Sequence, residues 1–375
     1  MTWLIIDILA LLMVVLITGV LIPQILLIAF RKKLFDEPDA RKIHTLPIPR
    51  LGGIAFLPAI VFTILLTMGI GLVTGAPWFA SVDPDEIIKV IFLGCGMLCM
   101  FIVGVADDLI GIRYIAKFIV QIFAALLLVF GGLVLFNVHG LFGLTTLPTV
   151  VAVLLTVLVI VFITNAINLI DGIDGLASGL SSIACIIYGY LFLVNGAYLF
   201  SLISFCTFGA LISFFAFNVF GNAEKHKKIF MGDTGSLTIG IILSALAINL
   251  CSFDVLNISY PYTDTSVDSG VNAAVTAFSP LLVPCLDVVR VYMHRIRNHK
   301  SPFLPDKNHI HHKLLALGIK PRQAMFSIIS FSLLLSVANI LLSRYVGITV
   351  LFIADILLFV ALNILISKLI VRRQI

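Results

Sequence analysis

The sequence predicts an all-α, polytopic membrane protein with about eleven transmembrane helices, because its composition is unlike that of a soluble domain. Of the 375 residues, 61% are hydrophobic and 11% are charged, whereas soluble domains have about 25% charged residues. Many apolar runs reach the ~20 residues that a helix needs to cross a bilayer. None shows the alternating pattern of a membrane β-barrel strand. Lipid is therefore the predicted solvent for most of the chain.

The apolar runs predict the order of the helices. The first run is too long for the apolar region of a signal peptide and follows no basic stretch, so we expect a retained transmembrane helix. The absence of an internal repeat or a soluble segment predicts that residues 1–375 form a single membrane domain. The predicted spans are 3–30, 51–73, 87–106, 115–137, 147–165, 176–194, 197–217, 233–252, 272–293, 323–343 and 346–368.

Basic residues predict which way the chain faces. Of the 24 Lys and Arg, all but Lys89 and Arg344 fall on one side of the predicted spans. The positive-inside rule assigns this side to the cytoplasm, which places the N-terminus outside and the C-terminus in the cytoplasm. The net charge of +5 therefore indicates topology rather than a nucleic-acid partner. Cytoplasmic loops are expected near 31–50, 107–114, 166–175, 218–232 and 294–322.

Four short polar segments interrupt the apolar pattern, and all four fall on the predicted cytoplasmic side. The first contains Asp107-Asp108 at the inner end of the third span, and Lys117 begins the fourth. Neighbouring helical residues lie ~100° apart, so this pair suits a helix end where one carboxylate meets a metal or a proton. The alternative is a pair of interfacial charges balanced by Arg113 and Lys117.

The second polar segment repeats a polar residue every three positions. If the segment is helical, its polar side chains form a slowly drifting stripe, while the glycines between them permit irregular backbone. Carboxylates bordering hydrocarbon are costly, so ionised residues here are candidates for function. The alternative is a polar seam for helix packing. The stripe consists of Asn165, Asn168, Asp171 and Asp174.

The third polar segment, Gly232-Asp233-Thr234-Gly235-Ser236, follows Lys227-Lys228 and leads into an apolar helix. Glycines, hydroxyls and free amides at a helix start favour an anion, and the aspartate can hold a divalent cation. The alternative is ordinary capping of a helix N-terminus.

The fourth polar segment is a basic connection that contains His309, His311 and His312. A zinc site is disfavoured because no Cys or Glu lies nearby at the spacing of zinc ligands. Flanking Lys and Arg favour an anion, so the imidazoles are predicted to contact phosphate. A generic basic loop would explain the lysines but not three histidines.

Carboxylates suited to a divalent cation, together with basic groups suited to an anion, are what phosphoryl transfer requires. Oxygen donors favour Mg²⁺ or Mn²⁺ over zinc. A site at the inner interface of a protein embedded in lipid suits a lipid substrate with a charged head and a soluble phosphate compound.

These motifs, in this order, resemble those of the polyprenyl-phosphate N-acetylhexosamine-1-phosphate transferases. The resemblance runs from the motif Pro47-x-Pro-Arg50-x-Gly52-Gly53 to Gly318. It implies transfer of a HexNAc 1-phosphate from a UDP-sugar to polyprenyl (undecaprenyl) phosphate, with release of UMP, at the bacterial cytoplasmic membrane. The implied partners are the polyprenyl phosphate, a UDP-HexNAc and membrane lipids, with a homodimer as the implied assembly.

The resemblance also implies a role for each matching residue. Asp233 would ligate Mg²⁺, for which Mn²⁺ can substitute, and Asp171 is the second candidate ligand. Asp107 would be the base toward the lipid phosphate, and Asp108 would position it. The residues implied to contact substrate are Lys117, Asn168, Asp171, Asp174, Phe230, His309, His311 and His312, with Phe230 stacking on uracil.

The substrate branch and the mechanism stay open at this point. Lys313 follows the histidines where the branch that uses UDP-MurNAc-pentapeptide typically has an acidic residue, which favours UDP-GlcNAc. Direct attack of the lipid phosphate on the β-phosphorus competes with an aspartyl-phosphate intermediate, and direct attack needs fewer steps. An ion-coupled transporter is disfavoured because the charges gather at one face. A prenyltransferase or a CDP-alcohol phosphotransferase would not explain the histidines.

Some residues remain outside this scheme. The role of Asn218 is open because the connection after it, 221–228, is longer than in many relatives. Asp287 is expected to pair with Arg290 at a helix end, and Asp355 has no predicted partner. The cysteines are predicted to be small buried apolar residues, namely Cys95, Cys99, Cys185, Cys206, Cys251 and Cys285.

Overall fold

A computed structural model of the chain describes residues 2–35, 48–254, 256–258, 270–299 and 308–374. Parts of the predicted connections 31–50, 253–271 and 294–322, including Pro47, lie outside these residues. The helices are α1 (Thr2–Lys32), α2 (Phe56–Thr74), α3 (Pro84–Ile110), α4 (Tyr114–Phe130), α5 (Thr149–Ile170), α6 (Leu176–Val194), α7 (Tyr198–Val219), α8 (Gly232–Leu250), α9 (Ala273–Phe278), α10 (Leu282–Arg297), α11 (Ile310–Ala316), α12 (Pro321–Leu342) and α13 (Ile348–Gln374).

The all-α, polytopic prediction is confirmed. Across the described ranges, ten helical segments are long and apolar enough to cross a membrane, and α4 adds a shorter apolar helix of 17 residues. Each of the predicted spans overlaps one of these segments. The third begins earlier than predicted because Pro84 occupies its first turn and the Asp83 carboxylate accepts a hydrogen bond from Asp85 N at 3.1 Å.

The fourth predicted span, 115–137, extends too far. The helix stops at Phe130 because Gly131 and Gly132 follow, and Gly132 has a φ of +91° that ordinary side chains avoid. The chain then forms an antiparallel hairpin of β1 (Asn137–Leu141) and β2 (Leu144–Thr146). A second two-stranded pair joins β3 (Leu256–Asn257) to β4 (Gly270–Val271).

The ninth predicted span, 272–293, is broken. A 3₁₀ turn, Ser279–Leu281, separates α9 from α10, because Pro280 removes a backbone donor there. The following connection contains α11, a short helix that the sequence analysis did not predict. Its few turns carry two of the three histidines in the fourth polar segment.

Helix α8 lies at the centre of the bundle and packs against α3, α5 and α6. Within its most apolar stretch 94% of the residues are buried, compared with 22% for α13. Small side chains permit this packing, since a side chain at Gly240 would clash with the backbone of Thr164 on α5. The third polar segment is therefore held at the end of the most enclosed helix.

The connections gather at two ends of the bundle. At one end, the hairpin between α4 and α5 contacts the end of α8 through His139, whose Nε2 lies 2.9 Å from Cys251 O. The same hairpin contacts α13, with Phe142 N donating to Thr349 Oγ1 at 2.7 Å. The four polar segments lie at the opposite end. The alternation of the connections between two ends agrees with the prediction.

Candidate active site

The site is organised around the first turn of α8. Asp108, near the end of α3, accepts hydrogen bonds from Asp233 N (2.8 Å), Thr234 N (2.9 Å) and Thr234 Oγ1 (2.6 Å). The unpaired N–H groups of a helix start favour a carboxylate at this place. Gly104 lets the two helices approach, because any side chain there would clash with the backbone of Thr234. Asp108 therefore ties α3 to the start of α8.

The segment before α2 pairs with the segment before α8. Phe230 N donates to Pro49 O at 2.8 Å, and Gly52 N donates to Phe230 O at 2.9 Å. A side chain at Gly53 would clash with the backbone of Gly235, so the two segments touch backbone to backbone. The glycine pair at one end of the family resemblance thus belongs to the wall of the site.

Two carboxylates and one ammonium group form the centre of the site. Lys117 Nζ, on α4, lies 2.6 Å from Asp107 Oδ2 and 2.5 Å from Asp233 Oδ2. The other oxygen of Asp107 accepts a hydrogen bond from Ile112 N at 2.7 Å. Roughly a fifth of each side chain is exposed, so the triad is partly shielded from solvent and still accessible. Three residues assigned from sequence are therefore in direct contact.

A cavity of about 320 Å³ opens beside this triad. Its lining is mostly polar and includes the cations Lys33 and Arg50 together with the carboxylates Asp107 and Asp108. Its volume is at the lower end of the range for small-molecule sites, about 300–1,000 Å³. The two cations suit an anionic group, which they would hold close to the carboxylates.

The predicted stripe of the second polar segment divides in two. Asn168 reaches the first turn of α8, where its Nδ2 donates to Ser236 Oγ at 2.8 Å. Asn165 instead pairs with Gln121 of α4, its Nδ2 donating to Gln121 Oε1 at 2.7 Å. Asn168 therefore belongs to the site, while Asn165 joins α5 to α4 one turn deeper. The sequence analysis missed Gln121, although a polar amide within an apolar run is a usable signal.

The loop between α5 and α6 carries the remaining acidic residues. Burial raises the pKa of Asp171 to about 7, and the nearby carboxylates of Asp233 and Asp174 act in the same direction. A divalent cation would favour the ionised form. Asp174 is paired already, with Oδ2 lying 2.5 Å from Lys228 Nζ. Both aspartates are thus close to the centre, and Asp174 forms an ion pair with Lys228.

Asn218, whose role the sequence left open, joins the two loops of the site. Its Oδ1 accepts a hydrogen bond from Gly175 N at 2.6 Å, and its Nδ2 donates to Ile229 O at 2.9 Å. The side chain is buried, so both bonds are shielded from water. Asn218 therefore fixes the α5–α6 loop against the segment that leads into α8.

The histidine segment is anchored by Asp287 of α10. The Asp287 carboxylate lies 2.8 Å from His309 Nδ1 and accepts a hydrogen bond from Ile310 N at 3.1 Å. Arg290 donates to the same carboxylate at 2.8 Å and also to the carbonyl of Asn308. The predicted ion pair of Asp287 and Arg290 is confirmed, and it carries His309 as a third member.

His311 faces the α5–α6 loop. Its imidazole lies against Gly172, where a side chain would clash with Nε2. Its ring is also 4.2 Å from the ring of His312, measured between centroids. Burial, with His312 and His309 nearby, lowers the pKa of His311 to about 3, so this imidazole is neutral at physiological pH. A neutral imidazole can donate only one hydrogen bond to a phosphate.

The donor set fits a magnesium ion shared with a substrate. No group of three or more His, Cys, Asp or Glu side chains within the described ranges is arranged to enclose a metal. Mg²⁺ is usually bound by one or two carboxylates, with water and substrate phosphates supplying the other oxygens. Asp233 and Asp171 offer hard oxygen donors of this kind, and their carboxylates are close enough for Asp233 to raise the pKa of Asp171.

The remaining predictions concern residues away from the site. Asp355 has a partner after all, since Asn339 Nδ2 of α12 donates to its Oδ2 at 2.8 Å. The cysteines are unpaired, and Cys185, Cys206 and Cys251 are buried as predicted. Cys95 is exposed, contrary to the prediction, and Cys99 and Cys285 are only half-buried.

Comparisons with known proteins agree on one family. The model of glycosyl transferase family 4 matches residues 90–251. Decaprenyl-phosphate N-acetylglucosaminephosphotransferase of Mycolicibacterium smegmatis is 33% identical over 302 residues, 78% of this chain and 71% of that protein. A probable undecaprenyl-phosphate N-acetylglucosaminyl 1-phosphate transferase of Bacillus subtilis is 31% identical over 331 residues, covering 86% and 81%. The undecaprenyl-phosphate α-N-acetylglucosaminyl 1-phosphate transferase of Escherichia coli K12 is 27% identical over 316 residues, covering 84% and 78%.

Proposed function

The chain belongs to glycosyl transferase family 4, and on that premise we propose that it transfers N-acetylglucosamine 1-phosphate from UDP-GlcNAc to a polyprenyl phosphate, releasing UMP. The observation that carries the proposal is the contact of Lys117 with both Asp107 and Asp233 at the start of α8. Anionic and cationic groups converge there beside a cavity, as phosphoryl transfer requires.

The reaction needs one bond to form and one to break. An oxygen of the lipid phosphate attacks the β-phosphorus of the UDP-sugar, and the bond from that phosphorus to the bridging oxygen breaks. UMP leaves with the bridging oxygen and the electron pair. Direct attack is favoured over an aspartyl-phosphate because it needs fewer steps, and the hydrogen bonds from Lys117 and Ile112 N hold the Asp107 carboxylate in one orientation.

Individual residues would hold the reacting groups. Asp107 would accept the proton of a singly ionised lipid phosphate, while Lys33 and Arg50, which line the same cavity, would orient anionic oxygens. Lys117 would move from carboxylate to phosphate when substrate enters. Asp233 and Asp171 would hold Mg²⁺, which when bound supplies positive charge to the diphosphate.

The choice of sugar rests on two features. The curated relatives named above are N-acetylglucosamine transferases by name, at moderate identity over most of the chain. Lys313 follows the histidines, and its ammonium donates to Ser367 Oγ at 3.0 Å. UDP-MurNAc-pentapeptide is the competing donor substrate, and it enters the test below as a separate arm.

The test of the function measures UMP. Purified protein in detergent is incubated with Mg²⁺, undecaprenyl phosphate and either UDP-GlcNAc, UDP-GalNAc, UDP-glucose or UDP-MurNAc-pentapeptide. We expect UMP and a lipid-linked sugar phosphate with UDP-GlcNAc, and none when Mg²⁺ is chelated. Release of UMP from UDP-MurNAc-pentapeptide alone would assign the protein to the branch that uses this substrate. An absence of UMP in every arm, with a folded protein, would contradict the proposal.

We also propose that the site end of the bundle faces the cytoplasm of a bacterial cell, with the N-terminus outside. The support is the basic bias of the connections at that end. Thr145→Cys, in the exposed hairpin between α4 and α5, should react with a membrane-impermeant thiol reagent added to intact cells. Lys225→Cys, on the site side, is the matched variant and should react only after permeabilisation. The reverse pattern would invert the topology.

A further inference from the structure

A groove of about 800 Å³ separates α10 from α13 on the surface of the bundle. Its walls are mainly apolar and include Val289 and Met293 of α10 and Val360 and Ile364 of α13. These four side chains are between 45% and 51% exposed, so the protein itself leaves the groove uncovered. The groove does not include the carboxylates of the candidate active site.

One end of the groove is strongly basic. Arg297 lies in the last turn of α10, and Lys368 and Arg372 lie near the end of α13, all three exposed. Arg290 and Lys313 line the groove nearby, and no acidic side chain is among the described residues that line it. Arg290 is already paired with Asp287. The net positive charge therefore comes from the three exposed residues together with Lys313.

The environment limits what can fill such a groove. An apolar channel on a membrane-spanning surface is open to hydrocarbon, so lipid chains occupy it in a bilayer. Basic residues at the end of a transmembrane helix attract anionic lipid head groups by about 1 kcal/mol each. Burial and the neighbouring Arg290 lower the pKa of Lys313 from its usual range, and a phosphate close by would restore its charged form.

We propose that this groove binds an anionic phospholipid of the surrounding bilayer, with an acyl chain along the apolar walls and the phosphate among Arg297, Lys368 and Arg372. Polyprenyl phosphate carries the same kinds of group. The phospholipid is favoured because the groove shares no lining residue with the cavity of Asp107 and Asp108, where a lipid phosphate would have to react.

The site has a structural link to the histidine segment. Arg290 lines the groove and also donates to Asp287 and to the carbonyl of Asn308, which precedes His309. Lys313 joins α11 to α13 through Ser367. A lipid in the groove would therefore lie against residues that hold α10, α11 and α13 together.

The experiment measures retained lipid by native mass spectrometry. Delipidated protein is titrated with phosphatidylglycerol or with phosphatidylcholine of the same chains, and the bound lipid is counted at each concentration. We expect phosphatidylglycerol to bind more tightly to the wild type. The double variant Lys368→Gln/Arg372→Gln should bind it roughly 25-fold more weakly, because each lost cation corresponds to about a fivefold change in affinity.

The matched control is Lys225→Gln/Lys227→Gln, which removes the same charge from an exposed connection on the same end of the bundle. It should bind phosphatidylglycerol as the wild type does. Val360→Trp keeps every cation but places a larger side chain in the apolar part of the groove. It should also weaken the retention of phosphatidylglycerol. Because these side chains are exposed, their substitution should not unfold the protein. A thermal melt of each variant checks that the fold is intact.

Three results would overturn the proposal. One is an equal loss of phosphatidylglycerol binding in the control and in the double variant, which would indicate a general effect of net charge. Another is equal binding of phosphatidylcholine and phosphatidylglycerol. The third is displacement of phosphatidylglycerol from the wild type by a trace of polyprenyl phosphate, which would place the acceptor substrate in this groove. None of these readouts requires the transferase activity, so they stand apart from the test of function.

Discussion

Asp233→Asn should lower the rate of UMP release by about a thousandfold, because the ion pair with Lys117 and a ligand of the proposed metal are lost together. The amide carries no charge to hold a divalent cation and cannot form the ion pair with Lys117. The backbone N–H of residue 233 would still donate to Asp108, so the start of α8 should stay in place. The measurement is the initial rate of UMP release, normalised to folded protein.

Asp254→Asn is the control for this variant. Asp254 is an exposed acid after the opposite end of α8, so the substitution removes the same charge without touching the site. Its rate should equal that of the wild type, and both variants should melt within a few degrees of it. A rate for Asp233→Asn within about threefold of the wild type would exclude Asp233 as a ligand of the proposed metal.

Lys117→Met should reduce both activity and stability. It leaves Asp107 and Asp233 facing each other without the cation that lies 2.6 Å and 2.5 Å from them. Removing one partner of a shielded, charged hydrogen bond costs about 1.5–3 kcal/mol. We therefore expect a lower thermal midpoint in detergent, and a fall of at least a hundredfold in UMP release.

The double variant Lys117→Met/Asp107→Asn separates charge repulsion from loss of packing. Neutralising one carboxylate removes the repulsion, so the double variant should be more stable than Lys117→Met alone while remaining inactive. Lys117→Arg keeps the charge and should retain the stability of the wild type. Equal melting of the single and double variants would show that Lys117 does not stabilise the carboxylate pair.

The sequence predicts the long helices and several of the residues that meet at the start of α8. Long apolar runs and their polar borders are local signals, so each predicted span overlaps a helix. The polar segments were found for the same reason, since carboxylates near hydrocarbon stand out in any window. The end of α4 was missed because its apolar run continues past Gly131 and Gly132 into residues that form a hairpin.

The pairing within the site could not be predicted from sequence. Asp108 caps α8 through residues more than a hundred positions away, and nothing local distinguishes it from Asp107. Asn218 meets Gly175 and Ile229 only because two loops converge on it. Contacts of this kind depend on how helices pack, and a single chain carries no periodic pattern for them.

The nearly complete enclosure of α8 determines how the protein responds to a change in the bilayer around it. Helices at the rim meet the acyl chains first, so changes in bilayer thickness are absorbed by tilting of α1 or α13. The helix that carries Asp233 has protein on every side and does not share that adjustment. Membranes of different composition should therefore alter how readily a lipid arrives, and leave the spacing of the reacting groups unchanged.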